Sequence, residues 1–252
     1  MGRDTYIKWW QDYRTQPILG RPMLTKFSTP ISELPSFLST ISMVSDDLTF
    51  TIQRLKEAEQ PPPAIYEPTR DLFLTILQGK LRFDDAWKQA SRIPYPTERK
   101  CACQVLDVAR DFFADQLPAR IYPLKGLRYS LPNGLPLQIS PIWIRETSPN
   151  RLLILHFWQT PFSDWQRSAM ASVLREALEG SENAPSEIDF ISVPFSDRAN
   201  RRQFEVYNWK RLKPLSDIEL KRFWKAFLDA WAEYQRRGPR EIKIKRRKTL
   251  FD

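Results

Sequence analysis

Arg151-Leu152-Leu153-Ile154-Leu155-His156-Phe157-Trp158 is a dense apolar run, eight residues long, that reads as a strand and decides the fold. Beyond it Ser163 and Gln166 stand three apart, the spacing of a capping box, and open a helical stripe of Trp165, Ala169, Val173, Leu174, Ala177 and Leu178 that Gly180 ends. Two further strand candidates follow at residues 188–195 and 203–209. A second capping box, Ser216 with Glu219, starts the closing helix, whose wide stripe is Leu220, Phe223, Trp224, Phe227, Leu228, Trp231 and Tyr234 and whose end is Gly238-Pro239. Upstream, Leu137, Ile139, Ile142 and Ile144 suggest a strand bent at Pro141, and Pro132-Asn133-Gly134 reads as a hairpin turn joining it to residues 128–131. The C-terminal half thus reads β-β-β-α-β-β-α, a mixed sheet flanked by helices.

Before Pro118 the period is helical. From Thr97, an N-cap candidate, Ala102, Val105, Leu106, Ala109, Phe112 and Phe113 trace one apolar stripe that Pro118 stops. Thr69 caps a shorter helix with Leu72, Phe73, Ile76 and Leu77 on one face, ended by Gly79, and residues 83–90 form another around Trp87, stopped by Pro94 and Pro96. Residues 31–55 carry Leu34, Phe37, Leu38, Ile41, Leu48, Ile52 and Leu55 at three- and four-residue spacings, interrupted near Ser45-Asp46-Asp47. Pro61-Pro62-Pro63 is a stiff, extended connector. The expected organisation is an α+β or α/β chain: a helical N-terminal region (1–60), a Pro-rich linker with short helices (61–96), an α/β domain (97–236) and a basic tail (237–252).

The totals exclude several classes. With 252 residues, 42% of them hydrophobic and 13% aromatic, the chain has ample material for a core. Residues 1–13 mix Arg3, Asp4, Lys8 and Asp12 with Trp9 and Trp10 and do not resemble a signal peptide. No window approaches 18 uncharged apolar residues, so no membrane span is expected and the chain reads as cytoplasmic, or nuclear in a eukaryote. Cys101 and Cys103 sit two apart in a helix and cannot easily pair, and with a single histidine, His156, the N/S ligand inventory for structural zinc does not close. No metal and no cofactor are expected. The seven glycines form neither a G-x-G-x-x-G nor a G-x-x-x-x-G-K-[ST] phosphate cradle, and no G-x-S-x-G elbow accompanies His156, which reads as a hydrogen-bonded strand residue.

From Thr97 to about Tyr234 the order helix, three strands, helix, strands resembles the PD-(D/E)XK nuclease fold. That family puts an acid on the second strand and an acid-x-lysine pair on the third, so that carboxylates hold Mg²⁺ while the lysine steadies the attacking water. Here the third strand has no Asp, Glu or Lys over residues 152–158; Glu146 lies at the end of the preceding candidate strand and Glu98 starts the preceding helix, two isolated acids without the third-strand pair. The resemblance therefore implies a member without catalysis.

Charge points to the remaining chemistry. The chain carries a net +9, yet residues 236–252 hold eight basic residues against Glu241 and Asp252, a local net of +6, so the rest is only modestly basic. The tail candidates for phosphate contact are Arg236, Arg237, Arg240, Lys243, Lys245, Arg246, Arg247 and Lys248. A second cluster joins Arg198, Arg201 and Arg202 to Lys210, Arg211 and Lys213 around a strand bearing Tyr207 and Trp209, where aromatics between cations can stack bases. The expected function is a non-catalytic, nucleic-acid-associated protein binding DNA or RNA, the α/β half serving as platform. Two alternatives stand beside it. One is a protein-interaction adaptor using the N-terminal helices and Trp9-Trp10. The other is a metal-dependent nuclease using Glu146, Asp189 or Glu205.

Overall fold

The structure, a computed structural model, describes residues 34–58, 66–158, 160–179, 187–196, 199, 201–208 and 212–237. Among the described residues the elements run α1 (Phe37–Met43), α2 (Leu48–Ala58), α3 (Glu67–Leu77), α4 (Phe83–Ser91), α5 (Pro96–Ala114), β1 (Ile121–Pro123), β2 (Arg128–Ser130), β3 (Pro136–Gln138), β4 (Trp143–Arg145), β5 (Arg151–His156), α6 (Asp164–Leu178), β6 (Glu187–Ser192), β7 (Phe195–Ser196), β8 (Arg201–Arg202), β9 (Glu205–Asn208) and α7 (Asp217–Arg237). This is an α+β fold built on a mixed sheet.

The apolar run is β5, the centre of a five-stranded sheet ordered β1-β4-β5-β6-β9. β5 and β6 are parallel, in a register from Arg151 opposite Glu187 to His156 opposite Ser192, and α6 makes the crossover that parallel neighbours require. All other pairs in the sheet are antiparallel. β5 has no polar face because both of its faces are covered. Leu152 and Ile154 enter one core with Ile144, Ile188 and Phe190, beneath α1, α2, α6 and α7. Leu153, Leu155 and Phe157 enter a second core with Trp143, Ile191 and Val193, beneath α3, α4 and α5. The N-terminal helices are thus shared between the two faces of the sheet, and Pro30–Arg237 forms one compact unit. The stripe on α7 is core: Phe223, Trp224, Phe227 and Tyr234 are buried, each worth about 1.5–3 kcal/mol of transfer free energy.

Local signals explain most boundaries. Ser163 accepts from the Gln166 amide N–H while Gln166 Oε1 accepts from Ser163 N at 2.9 Å, a complete capping box for α6. Ser216 and Glu219 make the same reciprocal contacts before α7. In other places the expectation needs correction. Neither Thr69 nor Thr97 is an N-cap: Tyr66 and Tyr95, three and two residues earlier, hold that place before α3 and α5, each with a proline in the first turn, where its fixed φ is already helical. Residues 137–144 are not one bent strand. β3 pairs only with β2, in a separate hairpin whose turn has Gly134 at φ +81°, while β4 joins the main sheet. The first strand of that sheet is β1, only three residues long. Pro61-Pro62-Pro63, Trp9-Trp10 and Gly238-Pro239 lie outside the described residues.

Candidate nucleic-acid interface

Of the basic residues singled out from sequence, the structure describes Arg201, Arg202, Lys213, Arg236 and Arg237. Arg236 is exposed on the last turn of α7 and pairs with Glu233 one turn back. Arg237 is the last residue of that helix, while Arg240, Lys243, Lys245, Arg246, Arg247, Lys248, Lys210 and Arg211 lie outside the described residues. Arg201 is exposed on β8, but its neighbour Arg202 is 4% exposed, because successive strand residues point to opposite faces. Arg202 Nη1 donates to the carbonyls of Phe157 (2.8 Å) and Val193 (2.6 Å), just past the ends of β5 and β6, and Nη2 donates to Cys101 Sγ at 3.6 Å. Its expected role as a surface phosphate contact is corrected by this burial.

Tyr207 serves packing, while Trp209 lies outside the described residues. Tyr207 stacks at 6.0 Å on Phe190, the Arg167 guanidinium lies 4.8 Å from its ring centroid, and its hydroxyl donates to Glu205 at 2.6 Å. Burial, reinforced by the Glu205 carboxylate, pushes the Tyr207 phenol up to about 12. Phe204 turns to the other core and packs 4.9 Å from Phe112.

Elsewhere a groove of about 550 Å³ brings together residues that the sequence reading passed over. The hairpin contributes Arg128, opposite Gln138 in the β2–β3 register, together with Leu135 and Pro136; α7 contributes Trp231 and Gln235 one turn apart, and Leu34 closes one side. Trp231 is half-buried, stacked on Phe227 at 6.1 Å with rings 22° apart. Arg128 and Gln138 are exposed. Among the described residues no carboxylate lines this groove, whereas Asp46 and Glu219 line the groove beside α2, and Glu176, Glu179 and Asp217 line the one between β2 and α7. Arg54 and Arg222 balance the acids of the groove beside α2, and Arg175 and Lys221 stand among those of the groove between β2 and α7, so of the three described linings that of the first groove is the one with a net positive charge. The signal that could have exposed it is the predicted hairpin itself, since alternation along 128–131 puts Arg128 on the face away from Leu131.

The acids considered for hydrolysis do not converge. Glu146 pairs with Arg120 at 3.6 Å, Asp189 with Arg151 at 2.8 Å, and Glu205 accepts from Tyr207. Arg151 bridges Glu187 and Asp189 across the parallel pair, and the Asp189 hydrogen bond raises its pKa further. Arg145 is buried opposite Arg151 and donates to Gln116 Oε1 and the Leu117 carbonyl, both at 2.6 Å; burial, with Arg151 beside it, lowers its pKa. Among the described residues no group of three or more His, Cys, Asp or Glu side chains is placed to hold a metal ion. None of the described helices is long and apolar enough to cross a membrane.

His156 is enclosed, as the sequence suggests. Its Nδ1 meets Ser192 Oγ at 2.9 Å across the parallel register, its ring packs against Phe162 and Phe190, and Nε2 has no partner. Burial, with the Arg202 charge nearby, lowers its pKa to about 3, so the ring is neutral at physiological pH and closed to substrate. Comparison of the chain with protein-family models, curated proteins and solved structures finds no match in any of the three.

Proposed function

We propose that this protein is a non-catalytic, nucleic-acid-associated protein that binds single-stranded nucleic acid through the groove of Arg128, Gln138, Trp231 and Gln235, with the basic run that follows Arg236 supplying electrostatic affinity. The observation that carries the reading is the composition of that groove. A half-buried indole, an exposed guanidinium and two amides share a wall that has no carboxylate among the described residues. A base has an indole ring to stack on, worth about 1–3 kcal/mol, and the phosphate beside it has a cation. The amides supply donors and acceptors without selecting strongly among bases. Such a protein acts in the cytosol, or in the nucleus of a eukaryotic cell.

Fluorescence anisotropy with labelled single- and double-stranded DNA and RNA tests it. Arg128→Glu, which reverses charge at an exposed hairpin position, is expected to weaken single-strand binding about tenfold at low salt with an unchanged thermal midpoint. Equal affinity of wild type and variant rejects the groove, and no binding at low salt rejects the reading.

One observation favours a protein partner instead. Leu48 and Phe50 on α2 are 47% and 48% exposed, and Phe50 lines the groove that holds Trp158 and Trp165. An adaptor using this face binds its partner without strong salt dependence, and Phe50→Ser abolishes capture while leaving nucleic-acid affinity intact.

A further inference from the structure

We infer that the N-terminus of α5 holds a binding site for a small phosphate-type oxyanion, a phosphate monoester or inorganic phosphate, between the first two turns of that helix and the buried guanidinium of Arg202. The inference is independent of the nucleic-acid groove and rests on three observations.

The first is a cavity of about 340 Å³ in which Thr97, Lys100, Cys101 and Gln104 present one face of α5, at the three- and four-residue spacings that align side chains, opposite Tyr66 and Arg202. Among the described residues its walls carry two cations and no carboxylate. The second is the helix end itself. α5 runs for 19 residues, begins with Pro96 in the first turn, carries Glu98 as the acid of that turn, and has no side-chain cap from Tyr95, so its first amide N–H groups receive no N-cap acceptor. Phosphate groups bind at helix N-termini of this kind, drawn by the amide N–H groups and the dipole together.

The third observation points to a ligand directly. Arg202 is 96% removed from solvent, yet no carboxylate among the described residues pairs with it. Its hydrogen bonds go to two carbonyls and a sulfur, and its Nε–H has no acceptor. Cys101 does not supply the missing charge, since burial raises its pKa and keeps the thiol protonated. A guanidinium taken out of water without a counter-ion is among the costliest arrangements a fold can hold, and an anion seated in the adjoining cavity offsets that cost. The same anion meets the exposed ammonium of Lys100 at the mouth and the amide of Gln104 one turn deeper. Thr97 adds a hydroxyl and the first free amide of the helix. The cavity has room for a phosphate and a small organic group, which favours a monoester or a strand end over an internal phosphodiester.

Isothermal titration calorimetry of the full-length protein with inorganic phosphate, at constant ionic strength and with chloride as the balancing anion, tests the site. Saturable binding of one phosphate is expected. Lys100→Ala should weaken it about three- to tenfold, and Gln104→Glu, which sets a negative charge in the cavity, more than tenfold. Neither position belongs to a core, and far-ultraviolet circular dichroism with an unchanged thermal midpoint keeps loss of binding apart from loss of fold. Absence of saturable binding, or equal affinity in wild type and Gln104→Glu, overturns the site. A further arm compares 5′-phosphorylated with 5′-hydroxyl oligonucleotides. A 5′-phosphate preference that Gln104→Glu removes identifies a strand end as the source of the phosphate, and equal affinity beside saturable phosphate binding assigns the cavity to a free phosphate ester. Loss of oligonucleotide affinity in Arg128→Glu with phosphate binding intact separates the groove from the cavity.

Discussion

His156 shows how one side chain sets the acid limit of the fold. In the unfolded chain its pKa is near the ordinary imidazole value of about 6.5, whereas in the folded chain burial holds it at about 3. Between those values the unfolded state binds a proton that the folded state refuses, so stability is complete above pH 6.5 and falls with decreasing pH through that window, at about 1.4 kcal/mol per pH unit from this group. Urea unfolding at pH 7.5, 6 and 4.5 measures the loss. Other groups contribute to the raw slope, so the decisive quantity is the difference between wild type and His156→Leu. The variant should lose the histidine component while sacrificing the Ser192 hydrogen bond at every pH. Nε2 has no partner and the ring is surrounded by aromatics, so no resonance of His156 should titrate between pH 5 and 8 in an NMR series. A normal titration near 6.5 would mean that the strand end opens to water.

Among the elements, α6 joins the two ends of the α/β scaffold to the N-terminal helices through one glutamine. Gln166 Oε1 accepts from the Ser163 amide, while Nε2 donates to the carbonyls of Ser42 (3.1 Å) and Val44 (3.0 Å), which the break between α1 and α2 leaves without helical partners. Ser163→Ala removes one cap acceptor and should cost about 1 kcal/mol. Gln166→Ala removes the reciprocal bond and strips two carbonyls of their donor, so about 2–3 kcal/mol is expected from chemical denaturation, with the larger effect at Gln166. Equal costs would mean that water replaces the amide at the α1–α2 turn. The cap of α6 was legible from Ser163 and Gln166 alone because capping is local. The second use of Gln166 was not, since its acceptors lie more than a hundred residues upstream and nothing at Ser42 or Val44 announces them. The same distinction governs the site residues. Arg201 and Arg202 are identical in sequence, and only the pairing of Phe195 with Arg202 decides which one turns inward. β1 escaped notice because three residues ending in proline carry no periodicity, while β5 could be read at once because strands covered on both faces are continuously apolar.

At the scale of the molecule, the described unit and the basic run answer different questions, and one truncation separates them. Pro30–Arg237 contains both cores and the complete sheet, so ending the chain after Arg237 should leave the thermal midpoint within about 2 °C of the full-length value. The truncation removes Arg240, Lys243, Lys245, Arg246, Arg247 and Lys248 together with only Glu241 and Asp252. If these six cations each neutralise one phosphate, counterion release from a single strand predicts that the slope of log affinity against log salt becomes shallower by about 4, since each contact contributes about −0.7. Anisotropy titrations from low to physiological salt measure both slopes. A truncated chain that keeps its fold, loses most of its salt dependence and retains a weak single-strand preference sensitive to Arg128→Glu would assign affinity to the run and base contact to the groove. Identical slopes for the two chains would remove the run from the interface. The positive balance of this sequence would then be a matter of solubility, and the exposed Leu48 and Phe50 face the place to look for a partner.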